Sequence, residues 1–131
     1  MAGPSYRDLV VWQKAMQLVT DVYRMAEKFP KVEVFGLASQ LRQAVVSVPS
    51  NIAEGQGRDS TKEFIHHLSI AYGSLMEAET QIQIAANLSY IRQPEAERYI
   101  SQATEVGRLM NGLSRSLRKS LTENRQPTTD N

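Results

Sequence analysis

Three groups of residues in this chain have the types and spacing to do chemistry. The first is Glu63-Phe64-Ile65-His66-His67, which contains the E-x-x-H string that helical bundles use to hold a di-iron centre. Such a centre needs an E-x-x-H from each of two helices, and the chain has no second one. Neighbouring histidines on a helix project about 100° apart, so His66 and His67 do not chelate one ion from one face. Glu63 has a structural use instead, three residues after Ser60 in an S-x-x-E capping box. Neither a metal nor a cofactor is expected.

The second group is Ser47-Val48-Pro49-Ser50-Asn51-Ile52-Ala53-Glu54-Gly55-Gln56-Gly57-Arg58. At helical spacing Ser47, Ser50, Asn51, Glu54 and Arg58 share one face, opposite Val45, Val48 and Ile52. Gly55-x-Gly57 suggests a phosphate cradle but lacks the rest of any nucleotide-binding fingerprint. A structural account is available. Pro49 removes the amide bond back to Val45 and should kink the helix, with nearby side chains satisfying the backbone groups it releases. Glu54 can pair with Arg58 at i,i+4. Pro49, Ser50, Asn51 and Glu54 therefore read as a conformational polar segment and not as catalysts.

The third group is Arg108, Arg115, Arg118 and Lys119, with no acid anywhere between Val106 and Thr122. Arg115 and Lys119 each project within about 20° of Arg108, away from Val106, Met110, Leu113 and Leu117. Such a stripe can neutralise a phosphate backbone; its other use is to solubilise the helix and interact with its C-terminus. Only Asn111 among the neighbouring residues could read a base edge, and no aromatic residue lies in the stripe. Phosphate contact is thus favoured over base readout. Arg42, Arg58 and Lys62 form a second candidate set. Glu77-x-Glu79 is no catalytic pair, because residues two apart on a helix diverge by about 200°. Glu79 lies near the edge of an apolar seam, where a base such as Arg42 is expected to pair with it. No Gly-x-Ser-x-Gly elbow is present.

The elements that must position these residues are helices. Trp12, Ala15, Met16, Val19, Val22, Tyr23 and Ala26 recur at spacings of three and four from about Leu9 to Phe29, where Pro30 ends the run. Leu37, Leu41, Ala44, Val45, Val48 and Ile52 form a second stripe between Gly36 and the glycines. Phe64, Leu68, Ala71, Leu75, Ala78, Ile82 and Ala85 then hold a strict heptad seam. A fourth helix starts at Pro94 and carries Ala96, Ile100, Ala103, Val106, Met110, Leu113, Leu117 and Leu121. Short links force neighbours to alternate in direction, so the expected fold is all-α, an antiparallel up-down-up-down four-helix bundle over residues 6–121. The polar ends, 1–5 and 122–131, read as a flexible N-terminus and a disordered tail.

Two helices carry more apolar surface than one stripe requires. Ile70, Ile84 and Leu88 project opposite the heptad seam, and Val11, Leu18 and Met25 widen the first stripe. Aligned apolar residues outside a core mark association surfaces, so these six are the candidate subunit interface. The chain has 131 residues, 41% of them hydrophobic, enough for one domain. Its fifteen Lys+Arg against fourteen Asp+Glu leave a net charge of +1, which confines any polyanion site to a local patch. The absence of cysteine excludes disulfides, thiolate metal sites and cysteine nucleophiles. No apolar run approaches a membrane span, so a cytoplasmic protein without membrane contact is expected.

The runs Asp8-Leu9-Val10-Val11-Trp12-Gln13-Lys14-Ala15, Phe35 to Ala44, Val48-Pro49-Ser50-Asn51-Ile52-Ala53-Glu54-Gly55 with Arg58, and Glu63-Phe64-Ile65 through Gly73-Ser74-Leu75 with Glu77 and Glu79 resemble the bacterial 23S rRNA-intervening-sequence proteins. The resemblance covers about Tyr6 to Leu121. It implies an antiparallel four-helix bundle that assembles as a ring, a pentamer, with no established enzymatic activity. Combined with the cationic stripe, it leads to the expectation of a non-enzymatic homo-oligomer with weak, salt-sensitive affinity for RNA or DNA and no small-molecule substrate. The alternative is a scaffold that binds only protein.

Overall fold

The computed structural model describes residues 5–125. A 3-10 turn (Tyr6–Asp8) leads into α1 (Val10–Ala26), and a second such turn (Lys31–Glu33) leads into α2 (Leu37–Gln56). Then follow α3 (Thr61–Asn87) and α4 (Gln93–Arg125), and there is no strand among the described residues. Each helix packs on its sequence neighbour and α1 packs on α4, while among the described residues no Cα atoms of the diagonal pairs α1–α3 and α2–α4 come within 8 Å. That closed square, joined by short links, is the up-down-up-down four-helix bundle.

Local chemistry sets the helix ends. Ser60 accepts from the amide of Glu63 at 3.2 Å, as the capping box requires. The return half is not made, because the Glu63 carboxylate turns to Arg58, 3.7 Å away. Glu33, which stood in none of the sequence motifs, caps α2: one carboxylate oxygen accepts from the amide of Leu37 at 2.9 Å. The other accepts from the Tyr90 hydroxyl at 2.7 Å. A side chain at Gly36 would come within 2.6 Å of the oxygen bound to the Leu37 amide, so it would have to displace the Glu33 cap. At the far end of α3, Ser89 takes a left-handed φ of 64°, and the amides of Ser89 and Tyr90 close onto Ala86 and Ala85 as a Schellman motif.

Four boundaries differ from the sequence reading, the first being the end of α1, which stops at Ala26 and not at Phe29. α4 begins at Gln93, one residue before Pro94, and it continues past Leu121 to Arg125. Residues 122–125, expected in the tail, are helical because half-buried Leu121 prolongs the apolar stripe and the Thr122 hydroxyl bonds back to the Arg118 carbonyl at 3.1 Å. Ser5, expected in the flexible arm, caps the first 3-10 turn through the Arg7 amide at 3.1 Å. The rest of the expected arm and tail, residues 1–4 and 126–131, lies outside the described residues.

The heptad seam of α3 is the centre of the core, with Leu68, Ala71, Leu75, Ala78, Ile82 and Ala85 all buried, facing Leu41, Val45, Val48 and Ile52 of α2 and Ala103, Val106 and Met110 of α4. Helix α1 corrects the expected interface. Val11, Leu18 and Met25 are 5%, 0% and 1% exposed: they are core residues, not an outer face. The cause is the rotation of α1 against α4. Lys14 pairs with Glu105 at 3.8 Å, Gln102 donates to Asp21 at 3.1 Å, and Lys28 pairs with Glu95 at 2.6 Å. With Lys14, Asp21 and Lys28 turned to α4, the stripe beside them points inward, and Trp12, Met16, Val19 and Tyr23 are left along the outer seam with α2.

Candidate nucleic-acid interface

The four cations of the α4 stripe lie on its outer side. Arg108, Arg115, Arg118 and Lys119 are all exposed, and none has a carboxylate within ion-pair distance among the described residues. Burial of Val106 and Met110 on the opposite side of the helix is what turns the stripe outward. Two members flank shallow cavities shared with α3. Arg108 sits with Tyr72, Met76, Glu79 and Asn111, and Arg118 sits with Ile65, Ser69, Tyr72 and Ser114. Gly107 makes the first of these approaches close, since a side chain there would meet Leu75 at 3.2 Å and Tyr72 at 3.3 Å.

The antiparallel run of α3 beside α4 settles which other cations belong to this surface. Ile65 and Arg118 line one cavity, so Lys62, one turn earlier on α3 and exposed, belongs to the same end of the bundle as Arg118 and Lys119. Arg58 precedes α3 but is engaged by Glu54 at 3.8 Å and Glu63 at 3.7 Å. Its i,i+4 partner Glu54 is as expected. Both contacts are half-exposed, and such pairs contribute about 0–1 kcal/mol, so they blunt the charge of Arg58 more than they stabilise the turn. Arg42 does not join the group. It projects to the α1 side of α2, where its guanidinium stacks over Tyr23 at 5.4 Å.

That placement also overturns the expected Arg42–Glu79 pair, because the two residues face different neighbours around the square of helices. Glu79 remains on the α3–α4 side, half-buried beside Arg108, and its burial raises the carboxyl above the usual carboxylate range.

The polar segment of α2 is assembled, but not around the backbone groups that Pro49 releases. α2 runs through Pro49, which is buried. The Asn51 amide donates to the carbonyl of Ser47 at 2.9 Å and to its hydroxyl at 3.0 Å, whereas the carbonyl that Pro49 leaves without a donor belongs to Val45. The remaining partners come from α3. His67 Nδ1 bonds to Asn51 Oδ1 at 3.0 Å, and the Ser74 hydroxyl donates to that of Ser47 at 2.8 Å. His67 and Ser74 were invisible to sequence reasoning, which judged His67 only as a metal ligand. Ser50 and Glu54 are exposed and take no part in this ladder. The ladder joins two helices and fixes their relative level, and its Ser47–Ser74 end borders a shallow cavity with Gln43 and Glu77. Ile70, Ile84 and Leu88 of the expected interface remain on the outside of α3, 41%, 40% and 51% exposed.

The family model for 23S rRNA-intervening sequence proteins matches residues 7–112. The match contains Arg108 but stops short of Arg115, Arg118 and Lys119. In fold, the chain is similar to a crystal structure of a protein of unknown function from the S23 ribosomal protein family of Bacteroides thetaiotaomicron VPI-5482. The TM-score is 0.75 at 21% sequence identity, covering 81% of this chain and 96% of that one. No curated protein matches the sequence.

Proposed function

The chain belongs to the family of 23S rRNA-intervening sequence proteins, and we propose that it is a non-enzymatic, self-associating bundle that holds RNA or DNA by the phosphate backbone. The observation that carries this reading is the α4 stripe: four exposed cations, unpaired among the described residues, with Lys62 at the same end. Fixed positive charge on a rigid helix, with no carboxylate in ion-pair contact among the described residues, is the minimum apparatus for displacing counterions from a nucleic acid. A net charge of +1 keeps the field of one chain small. Repetition of the stripe around an oligomer multiplies it without raising the charge per chain. Exposed Ile70, Ile84 and Leu88 support the association on which this depends.

The test is the salt dependence of binding to duplex DNA and to structured RNA. Each phosphate neutralised contributes about −0.9 to the log–log slope on duplex DNA, so an oligomer presenting several stripes should show a slope of several units and little sequence preference. Reversal of Arg115 and Lys119 together to Glu should abolish binding while leaving the oligomer mass unchanged. Binding that survives the reversal would move the site to Arg58 and Lys62 or to Arg42. No binding by the wild type at low salt would favour the second reading, a scaffold that recognises only protein. That reading draws on Phe35, 95% exposed at the tip of the α1–α2 connection.

A further inference from the structure

The outer seam of α1 and α2 holds an apolar groove of ≈ 370 Å³, walled chiefly by Trp12, Met16, Val19, Val46, Pro49 and Ala53. One turn beyond Val46 on the same side of α2 stands Arg42. Its guanidinium rests on Tyr23, its Nε is buried without a hydrogen-bond partner, and no carboxylate of the described chain pairs with it. The groove therefore asks for an apolar ridge that carries a negative charge. The outer face of α3 has that composition: Ile70, Glu77 and Ile84 recur every seven residues, the two isoleucines about 40% exposed and Glu77 exposed between them.

We infer that the groove receives the α3 ridge of a second copy of this chain, with Glu77 of one copy paired to Arg42 of the next. The inference rests on the self-association proposed above and names its contact. Charge complementarity selects the partner, and the levels of the residues along the bundle support it. Within one chain, the bonds Ser74–Ser47 and His67–Asn51 fix the level of α3 against α2. One turn along from Ser74 and Ser47, Glu77 and Gln43 line a common cavity, so Glu77 stands level with Arg42. By the same register Ile70 stands level with Pro49, and Ile84 with Phe35, each step of seven residues spanning about 10.5 Å of helix. Copies related by rotation about an axis parallel to the bundle keep these levels. Glu77 then meets Arg42, Ile70 meets the Trp12–Pro49 end of the groove, and Ile84 meets exposed Phe35, with no sliding along the axis. Because α1 and α3 are diagonal in the bundle, groove and ridge lie on different sides of each chain. The contact is head-to-tail, the kind that closes into rings.

Light scattering or sedimentation over a concentration series tests the pairing. Glu77 is exposed but its carboxylate accepts from the buried Gln81 side chain at 3.1 Å, so E77R should keep the helical circular dichroism with a somewhat lower melting midpoint, while weakening self-association at least about tenfold, as expected of close interfacial charge pairs. R42E should weaken it similarly, and the double variant R42E/E77R should return to within about threefold of wild type, a recovery that a merely structural Arg42 would not give. If R42E fails to fold, the cycle of R42M, E77Q and R42M/E77Q carries the same question, since a true pair makes the two losses non-additive. Wild-type association by E77R, or single losses that add without recovery, would overturn the pairing and leave self-association standing. A wild type that stays at 14.7 kDa at micromolar concentration would overturn both.

Discussion

The seam between α2 and α3 and the seam between α1 and α4 are both antiparallel helix contacts, yet they are held by opposite means. In the first, Gly55 lets the helices approach until a single added carbon would collide, and short side chains lock the level through Ser47, Asn51, His67 and Ser74. In the second, long charged side chains bridge the outside, with Lys14–Glu105 half-exposed at 3.8 Å. The difference teaches where specificity resides. Short, part-buried groups have few rotamers to lose and a high cost of going unpaired, so they define one register; exposed ion pairs tolerate several geometries and are screened by salt.

The sharpest way to break this contrast is Gly55→Val. A side chain at Gly55 would meet His67 Cβ at 2.7 Å, Phe64 Cδ1 at 2.9 Å and Phe64 Cα at 3.3 Å, so the helices must part. Overpacking of this kind costs about 1–3 kcal/mol, and a urea titration should show it as a lower midpoint. Asn51→Ala comes next. It strands the His67 ring nitrogen in a part-buried seam and removes one donor from Ser47, which should lower stability by about 1–2 kcal/mol with no change in oligomer mass. Unchanged stability with lost partner binding would instead make this segment a recognition surface. The smallest effect belongs to the other seam: Lys14→Ala should change stability by about 0–1 kcal/mol, and any change should shrink in high salt. A larger loss there than at Asn51 would invert the comparison.

How legible each region was in the sequence follows from the same physics. The α3 seam was plain because a strict heptad of large residues and alanines admits one buried face, and the cations of α4 were placed by exclusion from the stripe that buries Val106 and Met110. Helix α1 was misread because it carries two apolar stripes side by side, one through Val11, Leu18 and Met25 and one through Trp12, Met16 and Tyr23. Hydrophobicity cannot choose between them. In the fold the first stripe is the buried one, with Lys14, Asp21 and Lys28 beside it meeting α4, so the choice depends on residues far along the chain. Arg42 was misassigned for the same reason, since its destination depends on which side of α2 meets α1. The Asn51–His67 and Ser47–Ser74 bonds depend on the level of one helix against another, which periodicity within a helix does not encode.

The Glu33 clasp has a consequence in protons. Hydrogen bonds from the Leu37 amide and the Tyr90 hydroxyl hold the Glu33 carboxyl below its usual value of 4.5. The unfolded chain therefore binds more protons than the folded one in that range: the contribution of the clasp is complete above the ordinary glutamate value and is lost as pH falls through the folded one. The same hydrogen bond to Glu33, aided by burial, raises Tyr90 above 10.0, so its contribution is complete below that value and disappears as alkali strips the phenol. A single contact between the α2 entry and the α3–α4 turn thus fails at both ends of the pH scale. In acid the acceptor is neutralised, and in alkali the donor is gone.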